Sequence, residues 1–180
     1  MSSTATLTPF SYVVLVLVGE GGAGPHDLVC MMRQGSWAYW ASSQSQFYAE
    51  PKRLEKLGYL SSSKQPGRTH QRTAYRLTDA GREVLREWLG TPAAFPRIQN
   101  EGVIRLLGAE FADDATVLQG LRGLRDEIAA GRAWLERAAE IEPSLPQRKR
   151  ALGLNRRLAS RMLDAQEAWL DEVEAEFGAA

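Results

Sequence analysis

The sequence predicts a mostly α-helical chain with one small β-hairpin, laid out as two successive modules, and three observations carry that reading. Apolar residues recur at helical spacing through most of the 180 residues. One stretch, 59–77, instead holds two short extended runs around a Pro-Gly turn. A proline-bounded connection, Thr91-Pro-Ala-Ala-Phe-Pro96, then separates two blocks of different charge. Residues 1–90 carry 10 Lys and Arg against 7 Asp and Glu, and residues 91–180 carry 12 against 15. The front block is therefore expected to seek anions and the back block to have another task.

The elements follow in order. Residues 1–6 read as a loose polar tail. Thr8 and Pro9 serve as N-cap and first position of a helix to about Gly19, because proline's missing N–H would be unpaired there anyway. The β-branched run Val13–Val18 would also suit a buried strand, and periodicity alone leaves that open. Gly19, Gly21, Gly22 and Gly24 break the chain, and Pro25 starts a second helix that stops near Gly35. After the aromatic loop 36–41, the polar run 42–46 leads into a third helix carrying Phe47, Leu54 and Leu57, which Gly58 ends. Tyr59–Ser63 and Thr73–Leu77 form the hairpin, with the link Lys64–Arg72 as a basic tip. Thr78 caps a helix over Asp79–Leu89, whose acidic first turn complements the helix dipole.

In the second block, Val103, Ile104, Leu106, Leu107 and Phe111 indicate a helix ending near Ala112. Asp113 or Asp114 caps another, which keeps Val117, Leu121, Leu124, Ile128 and Leu135 close to one face. Pro143–Pro146 interrupts it. The last helix, from about Gln147 to Phe177, carries Leu154, Leu158, Met162, Trp169, Val173 and Phe177 as a stripe, with Arg148, Lys149, Arg150, Arg156, Arg157 and Arg161 at its front. Two such helices cannot bury both stripes on each other, so a second copy of the chain is the expected cover and these six apolar residues the expected dimer interface.

Composition excludes several classes. Hydrophobic residues at 44% and charged residues at 24% describe a folded chain. The run Val13–Val18 is far shorter than the roughly 20 residues of a membrane helix, and no basic segment precedes it, so a cytoplasmic protein without membrane contact is expected. A single cysteine, Cys30, rules out an intrachain disulfide, and with only His26 and His70 beside it zinc lacks its usual ligands. No metal and no cofactor are expected. Nor is an enzyme: the sequence has no H-E-x-x-H, no G-x-S-x-G and no nucleotide-binding glycine motif, and Gly19–Gly24 reads as a turn.

The helix, helix, helix, hairpin, helix order carries one polar constellation. A helix entering the DNA major groove needs short polar side chains at its leading end and cations beside it. Ser42, Ser43, Gln44, Ser45 and Gln46, followed by Lys52, Arg53 and Lys56, meet that demand. A hairpin reaching over the adjacent backbone needs a positive tip, which Lys64, Arg68, Thr69, His70, Gln71 and Arg72 provide.

Trp40, Ser42-Ser-Gln-Ser-Gln-Phe-Tyr48, Lys52-Arg-Leu-Glu-Lys-Leu-Gly58 and Tyr75-Arg-Leu-Thr-Asp-Ala-Gly-Arg82 resemble the PadR family of bacterial transcriptional regulators over roughly residues 7–90. The rest is similar, less specifically, to the helical C-terminal domain of longer PadR-like proteins, in which a final long helix mediates dimerisation. The resemblance implies a winged helix-turn-helix DNA-binding domain, 1–90, and a helical dimerisation domain, 91–180. It further implies a homodimer on double-stranded DNA at a palindromic operator, usually repressing, and released by a small effector or stress signal. In family terms Ser43, Gln44 and Gln46 lie at the recognition helix's leading end, Tyr48 approaches a phosphate, and Lys52 and Arg53 support the grip. The sequence departs from the pattern at Ser45, where glycine is common, and at Pro51, where an apolar residue is usual. A proline inside the recognition helix predicts a kink between Ala49 and Pro51 and a cost of about 3 kcal/mol unless accommodated.

The plainer readings are a solvated helix start for the serine-glutamine run and an ordinary exposed hairpin for the wing. Trp37, Tyr39 and Trp40 read as core, as an alternative to lining an effector pocket, and Cys30 as a small buried hydrophobe. His26 reads as a helix-start residue, and Arg148–Arg150 as a solvated face. The rival to a DNA-binding regulator is a winged-helix adaptor that binds a protein.

Overall fold

Helix α1, Pro9–Val18, begins as Thr8 and Pro9 dictate: Thr8 Oγ1 accepts the Ser11 N–H and Ser11 Oγ accepts the Thr8 N–H at 2.9 Å, a reciprocal cap. The β-branched run is helical, and its Val14, Leu15 and Val18 are buried in the core. The computed structural model describes residues 6–35, 43–66, 71–141 and 146–178. The chain divides into two compact units, Met1–Ala94 and Phe95–Ala180.

In the first unit α1 is followed by α2 (Pro25–Gly35), α3 (Gln46–Lys56), strands β1 (Leu60–Gln65) and β2 (Arg72–Leu77), and α4 (Asp79–Leu89). The strands pair antiparallel, from Leu60 opposite Leu77 to Gln65 opposite Arg72. The ladder thus runs further than the predicted strands, and Lys64 and Arg72 belong to it rather than to the tip. The glycine-rich turn after α1 lies along the hairpin: Ala23 and Tyr75 exchange backbone hydrogen bonds of 3.0 and 2.9 Å. Gly22 has φ +77°, and a Cβ there would lie 2.8 Å from the Tyr75 carbonyl oxygen, so only glycine fits.

Val14, Leu15, Leu28, Phe47, Leu54, Leu60, Tyr75 and Leu77 form one core under all these elements. Each large aliphatic side chain so buried contributes on the order of 1.5–3 kcal/mol. The run Leu77-Thr-Asp-Ala-Gly81 has a local cause. Thr78 Oγ1 accepts the Gly81 N–H at 3.0 Å and donates to the Gly58 carbonyl at 2.6 Å. A Cβ on Gly81 would sit 2.1 Å from the Tyr59 carbonyl oxygen. Cys30 is half-buried rather than buried, and its Sγ lies 3.6 Å from His26 Nε2, one helical turn away. The aromatic residues Trp37, Tyr39 and Trp40 lie outside the described residues.

The second unit comprises α5 (Glu101–Leu107), α6 (Asp114–Leu121), α7 (Gly123–Ile141) and α8 (Lys149–Phe177), with short 3-10 turns at Ala109–Phe111 and Pro146–Arg148. Asn100 and Asp113 cap α5 and α6 by accepting N–H bonds from Val103 and Thr116. Hydrogen bonds from Thr116 also hold the Asp113 carboxyl below its ordinary range. Two predicted spans divide. The helix expected to reach Ala112 stops at Leu107, where Gly108 intervenes, and the helix from Asp113 breaks at Arg122, between Gly120 and Gly123. Glycine weakens a helix by about 1 kcal/mol relative to alanine.

Helices α7 and α8 are tied by two arginine forks. Arg125 meets Asp171 at 2.6 Å and Glu174 at 2.8 Å, and Arg132 meets Asp164 at 2.9 Å and Glu167 at 2.6 Å. Hydrogen bonding to Arg125 lowers the Glu174 carboxyl's pKa. The stripe read as one intersubunit surface is therefore divided. Val173 is buried with Val117, Leu121, Ile128 and Leu170, and Trp169 and Phe177 pack against that cluster. Leu154, Leu158 and Met162 remain exposed, at 53%, 52% and 38%.

Candidate nucleic-acid interface

Helix α3 has two unlike faces, and its apolar spacing sets both. Phe47, Pro51 and Leu54 are buried, with the Phe47 ring edge-on to Phe10 at 5.0 Å. Tyr48, Lys52 and Lys56, four residues apart, are consequently turned outward and exposed. The helix runs unbroken from Gln46 to Lys56 through the predicted kink at Pro51, whose ring is part of the core.

The leading end of α3 is solvent-facing: Ser43, Gln44, Ser45 and Gln46 are all exposed. The Ser43 N–H donates to Gln46 Oε1 at 2.9 Å, and the hydroxyls of Ser43 and Ser45 are 2.9 Å apart. An N–H donor requires an acceptor, so the amide oxygen of Gln46 is turned back to the chain and its NH2 group is the end presented outward. Local hydrogen bonds thereby pre-order a short polar tip.

Between α3 and the hairpin lies an open groove of about 370 Å³ lined by Lys52, Glu55, Lys56, Ser62, Lys64, Thr73 and Tyr75. Lys64, opposite Thr73 in the ladder, donates to its hydroxyl at 3.0 Å. The Ser62 hydroxyl donates to Glu55 at 2.5 Å, linking hairpin and helix. Burial first, and the Glu55 charge second, raise the Tyr75 phenol, which keeps its proton at neutral pH. Three ammonium groups against one carboxylate give the groove a net positive charge.

The predicted residues fall into four groups. Ser43, Gln44, Gln46, Tyr48, Lys52 and Lys64 share the outward side of α3 and the groove beside it. Arg53 is engaged elsewhere: it donates to Glu50 at 2.7 Å and to the Thr6 carbonyl at 2.9 Å. Arg72 is largely exposed and lies 3.9 Å from Asp27 at the start of α2. Ser42, Arg68, Thr69 and His70 lie outside the described residues. Sequence reasoning misses Ser62, Thr73 and Tyr75 as groove residues. The strand register would have found Thr73 opposite Lys64, but only once the pairing was known. Among the described residues no His, Cys, Asp and Glu cluster is placed to hold a metal ion, and no helix is long and apolar enough to cross a membrane.

The model of the transcriptional regulator PadR-like family matches residues 14–87. The negative transcriptional regulator PadR of Bacillus subtilis (strain 168) is 28% identical over 79 residues, 43% of this chain and 43% of that protein, so the alignment spans under half of either. The crystal structure of Bacillus subtilis PadR in complex with operator DNA is similar with a TM-score of 0.77 at 18% identity, over 96% of this chain and 99% of that one. The same protein in complex with p-coumaric acid gives a TM-score of 0.68 at 19% identity, over 94% and 98%. At such identities the structural likeness establishes the fold alone, and the match to the transcriptional regulator PadR-like family is confined to residues 14–87.

Proposed function

We propose that the protein is a dimeric DNA-binding transcriptional regulator of the cytoplasm, a repressor that grips a palindromic operator through residues 1–90 and dimerises through residues 91–180. The observation that carries the reading is the groove in which Lys52, Lys56 and Lys64 converge beside the exposed polar tip of α3. A duplex laid along it would meet cations at its phosphates and Ser43, Gln44 and Gln46 at its base edges. Arg72 would extend the grip along the hairpin, and Arg68, Thr69 and His70, outside the described residues, are proposed to contribute to it. Repression is supported by the Bacillus subtilis relative, a negative transcriptional regulator by name. Its p-coumaric acid complex supports a small-molecule effector here too.

Dimerisation rests on apolar side chains that a single chain leaves in water. Leu154, Leu158 and Met162 on α8 are exposed, as are Ile104, Leu107 and Phe111 in and after α5. Large exposed apolar surfaces mark interaction sites. Of the α8 stripe, the exposed front three residues are the better candidates for the dimer face, while Trp169, Val173 and Phe177 hold their own unit together.

Salt dependence tests the reading. Affinity for sheared genomic DNA should fall linearly on a log-log plot against salt, and Lys52→Ala and Lys64→Ala should each flatten the slope by about 1. Absence of binding at low salt would contradict it and favour a protein partner.

A further inference from the structure

The side chains that flank Pro51 form a network that the DNA-contacting role leaves unexplained. Ser11, a polar residue with no exposure in the first turn of α1, donates its hydroxyl to Glu50 Oε1 at 2.6 Å and accepts the Thr8 N–H at 2.9 Å. Arg53 Nη1 donates to the same carboxylate oxygen at 2.7 Å and lies 3.4 Å from Ser11 Oγ, while its Nη2 donates to the Thr6 carbonyl at 2.9 Å. The Glu50 side chain is only 14% exposed. A carboxylate so far removed from water requires a cation partner, and Arg53 is the one within reach.

The position of the network explains its existence. Pro51 offers no N–H to the carbonyl of Phe47, so one backbone bond is missing halfway along α3. Glu50 precedes the proline and Arg53 follows it by two residues, and both are fastened to the start of α1, a separate element of the same unit. Side-chain bonds from outside the helix thus hold the turns on either side of the gap.

We propose that Arg53 is a positioning residue rather than a phosphate contact: with Glu50 and Ser11 it braces the recognition helix across Pro51 and so fixes the angle at which Tyr48 and Lys52 are presented. Swinging Arg53 out to a phosphate would strip Glu50 of its cation. This inference rests on the DNA-binding reading above for its functional meaning, though not for the brace itself.

The test compares Arg53→Ala, Arg53→Lys, Ser11→Ala and Lys52→Ala in the full chain, using sheared genomic DNA over a range of salt. Arg53→Ala and Ser11→Ala should each weaken binding roughly ten-fold, the size expected when a member of a buried polar network is removed, with the salt slope unchanged. Arg53→Lys keeps the charge but cannot span three acceptors, so it should lose nearly as much as alanine. Lys52→Ala should flatten the slope by about 1. Amide hydrogen exchange on the DNA-free chain supplies a second reading: residues of α3 should exchange faster in Arg53→Ala and Ser11→Ala, and unchanged in Lys52→Ala. A slope flattened by about 1 in Arg53→Ala, full activity in Ser11→Ala, or unaltered exchange would overturn the brace. Failure of the unaltered protein to bind DNA would sink the regulator reading alone, because the exchange comparison would still decide the brace.

Discussion

In the N-terminal unit Val14, Leu15, Leu28 and Leu54 have no exposure at all, whereas in the C-terminal unit Leu154, Leu158, Ile104 and Leu107 are more than half exposed. The first unit closes its core under three helices, a hairpin and a fourth helix, and turns charge outward. The second gathers its core where α6, α7 and the C-terminal half of α8 meet, and Arg125 and Arg132 fork onto four carboxylates there. Apolar patterning therefore means different things in the two halves. In the first most of it marks what the chain buries in itself; in the second, more of it is left in water.

Substitutions in the two units test that contrast. Leu54→Ala should cost about 2–5 kcal/mol of stability, measured by urea unfolding, because it empties a fully buried site on the core face of α3. A loss under about 1 kcal/mol would mean that the first core is looser than its burial implies. Leu154→Glu with Leu158→Glu should instead leave the C-terminal unit's unfolding within about 0.5 kcal/mol when both proteins are compared at a dilution where neither self-associates, since both side chains already face water in the single chain. Light scattering should show the double variant shifted to monomer. A double variant that stays dimeric would move the interface to Ile104, Leu107 and Phe111, and a folding defect would place Leu154 and Leu158 in the unit's own core.

Much of the fold is legible in the sequence because its signals are local. Thr8-Pro9, Thr78 and Asp113 announce helix starts through bonds made within three residues, and Pro25 opens α2 as its fixed φ requires. The cationic and polar residues of the candidate site are equally visible as residue types. What stays hidden depends on partners distant in sequence. Arg53 looks like one more cation beside Lys52 until Ser11, 42 residues earlier, is found against it. Lys64 looks like a loop residue until its pairing with Thr73 places it in the ladder. Val173 shares the spacing of Leu158, yet the forks to α7 pull its end of α8 into the unit's core. Periodicity identifies an apolar face but not the surface that covers it.

DNA lying in the groove between α3 and the hairpin would shield both elements from solvent. Amide hydrogen exchange of the full chain, with and without genomic fragments selected by the protein itself, tests it most directly. Protection should concentrate at residues 43–56 and 60–77, with α7 unchanged. Protection confined to the C-terminal unit, with 43–56 unaffected, would contradict it.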